Sequence, residues 1–474
     1  MGRRFGVIFD ISKKVTSLYK TPGKCRLTQC HHLHSIHTMT ADAPSAAASV
    51  IAAAPAASVP TDAPQDMSAP GARSHNEALS LASRAVHADD HISAHRAVAP
   101  AMHVSTTFRY NNDPKRLIPL DYTDPTAPLD SHVYSRITNP STTRLEAVLT
   151  SLLGGPAVTY SSGLSAFHAL LIHLNPRRIA ITGGYHGCHS VVALLSRLTG
   201  LQQLPLDCDA SELQPGDVIH VETPLNPTGE AVDLAFYAEK ARLAGAYLTV
   251  DATFGPPPLQ DPFAQGADFV MHSGTKYFGG HSDMLCGVLA VHPRHADECS
   301  ERMPALLHDR MAVGSVMGSL EGWLGIRSLR TLELRVKRQS ATATALVAWF
   351  SAQLAEASGP VAAVVERVQH ASLQPGAADE TSWLRQQMPG GYGPVFALWM
   401  KDSEGAKRLP SKLRLFDHAT SLGGVESLIE WRAMMDPNVD RRLLRVSIGV
   451  EGLEDLKQDL LQGLEALETE NSTR

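Results

Sequence analysis

The chain has 474 residues, which is more than one hydrophobic core usually organises, so we expect two packed domains with extensions. Hydrophobic residues make up 43% of it and charged residues 19%, a composition typical of soluble globular enzymes. The formal net charge of -6 argues against the strongly basic surface used to bind nucleic acid and favours a small metabolite as the ligand.

The N-terminal segment, residues 1–76, is predicted to be a disordered tail. Residues 41–72 consist mainly of Ala, Pro, Ser, Thr and Asp, which bury too little apolar surface to offset the entropy of ordering. Residues 1–37 carry many Lys and Arg against the single acid Asp10, the charge bias of a mitochondrial presequence. An untargeted tail, or a true start at Met39, explains the same residues. We therefore expect a cytoplasmic protein, with a mitochondrial location as the alternative.

The same tail contains the features that could suggest a membrane segment or a metal site. Residues 49–59 form the most apolar stretch near the start, but Pro55 interrupts it and it is too short to cross a bilayer. The Cys and His residues of segment 25–34 lack the two spaced ligand pairs of a zinc motif. The six cysteines of the chain have no repeating spacing and indicate a reducing compartment. We expect neither a membrane span nor a metal ion.

From about residue 77 the pattern predicts alternating strands and helices. Residues 143–153 place apolar side chains on one face of a helix, which Gly154 and Gly155 end. Short apolar runs predict buried strands at 178–182, 217–222, 246–251, 269–272 and 284–291. That order predicts an α/β fold with a mostly parallel sheet covered on both faces by helices.

A second domain is predicted to follow the sheet. A long helical stretch that includes Trp323 and Val336 links the two domains. A helix from 453 to about 468 closes the chain, because its leucines recur at the three-to-four spacing of one apolar face.

One lysine, Lys276, lies just beyond the predicted strand 269–272, between hydroxyl side chains and glycines. Partial desolvation there would lower its pKa and make the neutral amine available to attack an aldehyde. Ser273 and Thr275 are candidate donors to a phosphate beside it. An exposed loop lysine is the alternative interpretation, and for an isolated lysine it would be the better one.

Three further segments supply partners for such an amine. Asp251 ends another strand, where a carboxylate opposite a pyridine nitrogen would keep that nitrogen protonated, although a strand-end cap explains it equally well. The turn 160–163 leads into an apolar helix whose free amides could bind phosphate, or it is a plain turn. Tyr185 follows a third strand and could lie flat against an aromatic ring, or simply pack.

These pieces, in this order, resemble the cysteine and methionine metabolism family of pyridoxal-phosphate (PLP) enzymes, which includes cystathionine γ-synthases, cystathionine lyases, methionine γ-lyases and homoserine sulfhydrylases. The likeness extends from about Ala78 to Leu467. Its most specific element is SGTKYFGGHSD at 273–283, which matches the Ser-x-Thr-Lys-Tyr-x-x-Gly-His-x-Asp signature around the cofactor lysine. The resemblance implies the PLP-dependent transferase fold type I, a seven-stranded sheet with a smaller C-terminal α+β domain, and pyridoxal 5'-phosphate as cofactor.

The resemblance also implies roles at matching positions. Lys276, Tyr185 and Asp251 are the catalytic candidates. The cofactor-binding candidates are Tyr134, Arg136, Ser162, Gly163, Leu164, Tyr185, Asn226, Asp251, Ser273, Thr275 and Lys276. Tyr134 and Arg136 resemble the pair that reaches the cofactor phosphate of a neighbouring subunit, which implies a homodimer or homotetramer with shared active sites.

Two C-terminal signatures supply the substrate-binding candidates, Ser421 and Arg445. An arginine suits a substrate α-carboxylate because its guanidinium pairs with both oxygens, although a surface ion pair is the simpler explanation. The implied segments are a tail at 1–76, an arm at 77–137 that contacts a neighbouring subunit, a cofactor domain at 138–326 and a small domain at 327–474.

The chain departs from the family pattern around the substrate. Thr420 stands where cystathionine-handling relatives commonly have Glu, residues 429–432 (Ile-Glu-Trp-Arg) replace a histidine-proline stretch, and residues 184–189 are unusual. Cofactor chemistry is therefore expected to be intact, whereas substrate identity does not carry over. The favoured function is γ-replacement on an activated homoserine with a thiol, as in a cystathionine γ-synthase or a sulfhydrylase. The alternatives are a carbon-sulfur lyase acting by γ- or β-elimination, a catalytically silent PLP-binding protein and an aminotransferase.

Overall fold

The computed structural model describes residues 79–92, 97–117, 132–436 and 438–472. The predicted tail, its basic segment and its Cys/His segment all lie outside these residues. Among the described residues, no group of three or more His, Cys, Asp or Glu side chains could hold a metal ion. Within the same ranges, no helix has both the length and the apolar character needed to span a bilayer.

The apolar runs of the first half form the larger sheet. Its strands are β1 (Ala157–Tyr160), β2 (Arg178–Ala180), β3 (Gln202–Leu204), β4 (Val218–Glu222), β5 (Tyr247–Asp251), β6 (Phe269–Ser273) and β7 (Gly287–Val291). They lie in the order β1-β7-β6-β5-β4-β2-β3, and only β7 runs antiparallel to its neighbours. The predicted, mostly parallel seven-stranded sheet is thereby confirmed.

Twelve α-helices lie in the described ranges. They are α1 (Leu81–His87), α2 (Pro140–Leu153), α3 (Gly163–Leu174), α4 (His186–Thr199), α5 (Leu234–Ala244), α6 (Ala296–Val313), α7 (Ser319–Leu329), α8 (Leu332–Glu356), α9 (Gly359–Val364), α10 (Trp383–Gln387), α11 (Ser403–Arg408) and α12 (Leu453–Ser472). Local sequence sets their ends: the Asn139 side chain accepts hydrogen bonds from Ser141 N and Thr142 N, both 3.0 Å, and so begins α2. Gly154, with a φ of 75°, ends it.

Both faces of the larger sheet are buried. Along β6 and β7, Phe269, Met271 and Leu289 belong to one hydrophobic cluster, whereas the alternate residues Val270 and Val288 belong to another. Successive side chains of a strand point to opposite faces, so helices must cover the sheet on both sides. This arrangement leaves the strand ends as the accessible part of the sheet.

A second, smaller sheet follows, as predicted. Its strands are β8 (Val365–Gln369), β9 (Val395–Met400), β10 (Asp417–His418), β11 (Leu428–Trp431) and β12 (Leu443–Ser447). They lie in the order β10-β11-β12-β9-β8, and only β10 and β11 pair in parallel. Leu456, Leu460 and Leu464 of α12 are buried in the same cluster as the sheet, which accounts for the leucine spacing. The bounds of the four implied segments stay predictions.

Two features differ from the sequence prediction. The long helical stretch around 323–336 is two helices, because the chain turns at Arg330 and Thr331 between α7 and α8. The Arg330 guanidinium donates to Asp89 Oδ1 (2.6 Å) and Ala85 O (2.6 Å), so this turn is held against α1 by contacts that no periodicity reveals. Strand β3, at the sheet edge, was not predicted, because the side chains of Gln202 and Gln203 are exposed and polar.

Candidate active site

A cavity of about 390 Å³ lies beside the carboxyl ends of the parallel strands. Ser162, Asn226, Asp251 and Lys276, which all follow or end a strand of the larger sheet, line one side. Arg445 of β12, in the smaller sheet, lines the other side. Open α/β sheets bind ligands at this edge, so the cavity is the candidate active site.

Most of the predicted site residues meet in this cavity. Those that line it are Ser162, Gly163, Leu164, Tyr185, Asn226, Asp251, Ser273, Thr275, Lys276, Ser421 and Arg445. Tyr134 and Arg136 do not line it: both are exposed, and the Arg136 guanidinium carbon lies 5.3 Å from the centre of the Tyr134 ring. Their implied role in a neighbouring subunit's site stays a prediction.

The amine of Lys276 lies in the cavity and donates a hydrogen bond to Ser421 Oγ at 2.7 Å. Burial and, to a smaller extent, the positive charge of Arg445 lower the pKa of Lys276 to about 8, although Glu430 and Asp251 act in the opposite direction. A larger share of neutral amine is thus present near neutral pH than for an ordinary lysine, as attack on an aldehyde requires.

Backbone conformation brings the small domain's loop onto this lysine. Ser421 has a φ of 78°, a left-handed conformation that costs a non-glycine residue energy and persists only where the surroundings impose it. Gly423 has a φ of 84°, and a Cβ there would lie 3.0 Å from the carbonyl carbon of Lys276 and from Tyr277 N. The loop and the lysine backbone therefore touch directly, which fixes the Ser421 hydroxyl beside the amine.

Asp251, 5% exposed, ends β5 within the same cavity. Thr253 donates to its Oδ1 twice, from N at 3.0 Å and from Oγ1 at 2.5 Å, and Thr253 Oγ1 also accepts from Ser273 N at 2.8 Å. Burial raises the pKa of Asp251, whereas the hydrogen bonds from Thr253 and the charge of Lys276 lower it. A protonated ring nitrogen would pair well with this carboxylate, because the positive charge of the nitrogen favours the ionised form of Asp251.

The start of α3 forms a cradle for an anion. The Ser162 hydroxyl accepts from Ser165 N at 3.1 Å and begins the helix, so the first amides of α3 remain available beside the cavity. A Cβ on Gly163 would lie 2.9 Å from Ser273 Cβ, so only glycine lets the helix approach β6 this closely. The Thr275 hydroxyl accepts from Cys286 N at 3.0 Å and donates to Cys286 O at 3.3 Å, which holds it at the same place; it would turn from that carbonyl to donate to a phosphate. These donors fit the phosphate of pyridoxal phosphate.

Glu222, at the end of β4, organises the tyrosine side of the cavity. Its Oε2 accepts from Tyr185 N at 2.7 Å, and its Oε1 accepts from Asn226 N at 2.8 Å. Gly183 and Gly184 have φ values of 69° and 75°, and a Cβ on Gly184 would lie 2.4 Å from Glu222 Oε2. The two glycines therefore allow the turn that presents the half-exposed Tyr185 ring to the cavity.

Glu222 was not singled out from the sequence, although the signal was available. Like Asp251, it is the last residue of a predicted buried strand, and the two are direct neighbours in the register of β4 and β5. Burial raises the pKa of Glu222, and the charge of Asp251 raises it further. Other lining residues that the sequence did not single out are His186, Cys188, Thr253, Phe254, Met271, Leu285, Leu422 and Met435.

Arg445 is held in place by three acceptors. Its Nη1 donates to Asn226 Oδ1 at 3.1 Å, its Nη2 donates to Ser421 O at 2.8 Å, and the same Nη2 lies 2.6 Å from Glu430 Oε2. Burial lowers the pKa of Arg445 to about 10, and Glu430 opposes that shift, so the guanidinium stays charged at neutral pH. This geometry suits the α-carboxylate of an amino acid.

Arg432 is a second buried guanidinium of the cavity wall. The sequence indicated it only as a departure from the family pattern. Its Nη1 donates to Glu430 Oε2 at 2.7 Å, so Arg432 and Arg445 share one carboxylate oxygen. The contact joins β11 to the residues after it and is not visible in the sequence.

Comparison with known proteins identifies the family. Residues 82–465 match the family described as "Cys/Met metabolism PLP-dependent enzyme". The chain belongs to this family. The resemblance inferred from SGTKYFGGHSD is therefore confirmed, and pyridoxal 5'-phosphate is the cofactor of this family member.

Its relatives have different activities. The chain is 31% identical over 358 residues to cystathionine gamma-lyase of Bacillus subtilis, covering 70% of this chain and 88% of that one. It is 31% identical over 393 residues to cystathionine gamma-synthase of Escherichia coli, covering 78% and 93%. The solved structure of cystathionine gamma synthase from Xanthomonas oryzae pv. oryzae in complex with cystathionine is similar, with a TM-score of 0.69, 28% identity, and coverage of 82% and 99%. Family membership thus supports PLP-dependent trans-sulfuration chemistry but does not choose between synthase and lyase.

Proposed function

We propose that this family member catalyses γ-replacement on an activated homoserine, in which a thiol replaces the oxygen substituent of Cγ. The observation that carries the proposal is the Lys276 amine, with a pKa of about 8, 2.7 Å from Ser421 Oγ in the cavity that Arg445 also lines. One side chain can then move protons along the substrate while another holds its carboxylate.

The residues of the larger sheet would hold the cofactor. Pyridoxal phosphate supplies an electron sink that makes the carbons beside the substrate amino group acidic. The first amides of α3 and the hydroxyls of Ser162 and Thr275 would hold its phosphate, Asp251 would face its ring nitrogen, and Tyr185 would pack against its ring. These assignments rest on the shared cavity and on the donors described above.

The residues around Lys276 would carry out the proton transfers. With a pKa of about 8 for the free amine, Nζ can accept a proton from Cα and later return one without leaving the physiological pH range. The Ser421 hydroxyl accepts from Nζ and so fixes its direction. Arg445 would bind the α-carboxylate, which orients Cα and Cγ towards Nζ. The balance is one C–O bond broken at Cγ, one C–S bond formed, and the thiol proton transferred to the departing acid.

Thr420 argues against lysis of cystathionine and, in a replacement reaction, favours a thiol without an ammonium group, such as sulfide. It lines the cavity at the position where cystathionine-handling relatives commonly have Glu, and its neutral hydroxyl offers no charge to a distal ammonium group. A carbon-sulfur lyase is the second candidate, because the similar proteins include cystathionine gamma-lyase and L-methionine gamma-lyase.

We extend the proposal to assembly and location. Tyr134 and Arg136 lie together on the exposed part of the chain, apart from the cavity, as a pair that serves a neighbouring subunit's cofactor phosphate would. This supports a homodimer or homotetramer with shared active sites. The buried free thiols of Cys188, Cys208 and Cys286 are compatible with the proposed cytoplasmic location.

The test is to offer the holoenzyme O-acetyl-, O-succinyl- and O-phosphohomoserine with cysteine or sulfide, and separately cystathionine and methionine, and to identify products by mass. The proposal predicts a thioether or thiol amino acid with release of the ester acid. Ammonia and a 2-oxo acid from cystathionine or methionine would instead establish the lyase. A requirement for a 2-oxo acid acceptor would indicate an aminotransferase, and a bound cofactor without any turnover would indicate a silent binding protein.

A further inference from the structure

Arg432 combines burial with an unused hydrogen-bond donor. It is 5% exposed, lines the same cavity as Lys276, and begins the short 3-10 helix that follows β11. Its Nη1 donates to Glu430, whereas its Nε is buried without a hydrogen-bond partner among the described residues. A buried donor without a partner destabilises a fold, but Nε itself is closed off from the cavity. Nη2 makes no hydrogen bond to any described residue and is not fully buried, so it is the donor that can pair with a ligand group in the cavity.

The charges at this end of the cavity do not balance. Arg432 and Arg445 approach the single oxygen Oε2 of Glu430, at 2.7 Å and 2.6 Å, and the three side chains are 6%, 5% and 3% exposed, respectively. Two guanidinium groups thus share one carboxylate. The two carboxyls that line the cavity lie on the sheet side, where Glu222 accepts from backbone amides of Tyr185 and Asn226, and Asp251 accepts from Thr253. The two guanidiniums together exceed the one carboxylate between them, so this end of the cavity is positively charged and favours anionic over cationic groups of a ligand.

We propose that Arg432 binds an anionic group on the side chain of the amino-acid substrate, a carboxylate or a phosphate carried beyond Cγ. The inference rests on the proposed γ-replacement, because it names the leaving group of that reaction as an acidic acyl or phosphoryl group. Arg445 takes the α-carboxylate, and Arg432, on the same wall, takes the second anion. Its planar fork of donors suits either group.

The surroundings of Arg432 favour this ligand over a distal ammonium group. Tyr185 also lines the cavity, and the positive charge of Arg432 acts on it to lower its pKa, against the larger raising effect of burial. The position that would hold an acid for a distal amine is the neutral Thr420. A second cation, rather than an acid, therefore meets the end of the substrate.

Binding of two unreactive amino acids to the holoenzyme tests the proposal. L-2-Aminoadipate carries a side-chain carboxylate, and L-norleucine has a neutral chain of similar length; neither has a leaving group. Their dissociation constants can be read from the visible absorbance of the bound cofactor. The native protein should bind aminoadipate at least about tenfold more tightly than norleucine. Arg432→Gln should raise the dissociation constant of aminoadipate by about 10- to 100-fold and that of norleucine by less than about threefold.

Two further variants separate the roles of Arg432. Arg432→Lys keeps the positive charge and should retain part of the preference for aminoadipate, which checks that lost packing is not the cause. Arg242→Gln removes an exposed arginine paired with Glu239 on α5 and should match the native protein. If Arg432→Gln lowers the affinity for both ligands by the same factor, Arg432 acts only through Glu430 on Arg445, and the proposal is wrong.

The source of the anion is resolved by turnover. We compare kcat/KM for O-succinylhomoserine and for O-phosphohomoserine, each divided by kcat/KM for O-acetylhomoserine. Both ratios should fall in Arg432→Gln. A larger fall for the succinyl ester identifies a carboxylate as the anion, and a larger fall for the phosphoryl ester identifies a phosphate. A native protein that shows no preference for aminoadipate would also overturn the proposal. Because the titration needs no leaving group, it remains informative even if γ-replacement is not the reaction.

Discussion

The two walls of the cavity differ in how they are built. On the sheet wall, Lys276 and Asp251 lie at or near strand ends, and the side chains of Asp251 and Thr253 accept hydrogen bonds from backbone amides. On the small-domain wall, Ser421, Arg432 and Arg445 are held through a strained loop and one shared carboxylate. The first wall carries the family signature, and the second contains most of the departures from it.

This difference indicates a division of labour. Strand ends of a packed sheet can hardly move, so groups that must face the cofactor with small tolerances are best placed there. A loop and a two-arginine cluster can change without disturbing the sheet, so substrate preference can diverge while cofactor chemistry is retained. Each of the following predictions tests one wall against the other.

The largest effect is expected from Lys276→Ala. Removing the amine takes away the covalent anchor of the cofactor and the proton carrier, so turnover should fall by at least about 10²- to 10⁴-fold, and the visible absorbance of the covalently bound cofactor should disappear. Lys337→Ala, at an exposed lysine of α8, is the matched control and should leave both unchanged. Retained turnover in Lys276→Ala would refute the role of the sheet wall.

The next effect is expected from Asp251→Asn. The amide keeps an oxygen for Thr253 but loses the charge opposite the ring nitrogen, so kcat should fall by about 30-fold or more, the size of losing one partner of a buried charge pair. The cofactor should remain covalently bound, as its absorbance will show. An equal kcat in native protein and variant would mean that Asp251 only caps its strand; Asp440→Asn, at an exposed acid, is the control.

On the small-domain wall, Arg445→Gln should act mainly on binding. Hydrogen bonds to a charged group are worth roughly 1.5–3 kcal/mol, so KM for an amino-acid substrate should rise by about 10- to 100-fold, with a smaller change in kcat. The α-methyl ester of the substrate lacks the carboxylate, so its KM should differ much less between the native protein and the variant. If the variant raises KM by the same factor for the acid and for the ester, Arg445 does not bind the α-carboxylate.

The smallest effect concerns pH. Only the neutral Lys276 amine attacks the aldehyde, so the rate at which cofactor-free protein captures pyridoxal phosphate should fall about tenfold per pH unit below about 8 and level off above it. An ordinary lysine, with a pKa of 10.5, would give a rate that still rises at pH 10. Rapid-mixing absorbance measures the rate, and Nα-acetyl-lysine in the same buffers is the reference.

The sequence predicted the sheet wall well because its signals are local. A polar residue that ends a buried apolar run, or follows it within a few residues, lies near a strand end, which located Asp251 and Lys276. The same rule would have found Glu222, whose register with Asp251 adds a second buried carboxylate. The family signature then added roles that spacing alone could not.

The small-domain wall was less predictable because its contacts are not local in sequence. Arg445 meets Glu430 only because β11 and β12 pair antiparallel with those two residues in register. The Ser421 backbone enters the left-handed region although its residue type does not favour it. Long-range pairing of this kind depends on the finished fold. The turn between α7 and α8 was predicted as continuous helix for the same reason, because Arg330 contacts Asp89 and Ala85, which lie far away in the sequence.

The contact of Gly423 with the backbone of Lys276 has a practical consequence for protein engineering. Any side chain larger than hydrogen at 423 would push the loop away from the residue that performs the chemistry. Libraries that aim at new substrates should therefore randomise Thr420 and Arg432 and keep 421–424 as they are. Changes at Thr420 and Arg432 alter the cavity wall, whereas a side chain at 423 displaces the loop from Lys276.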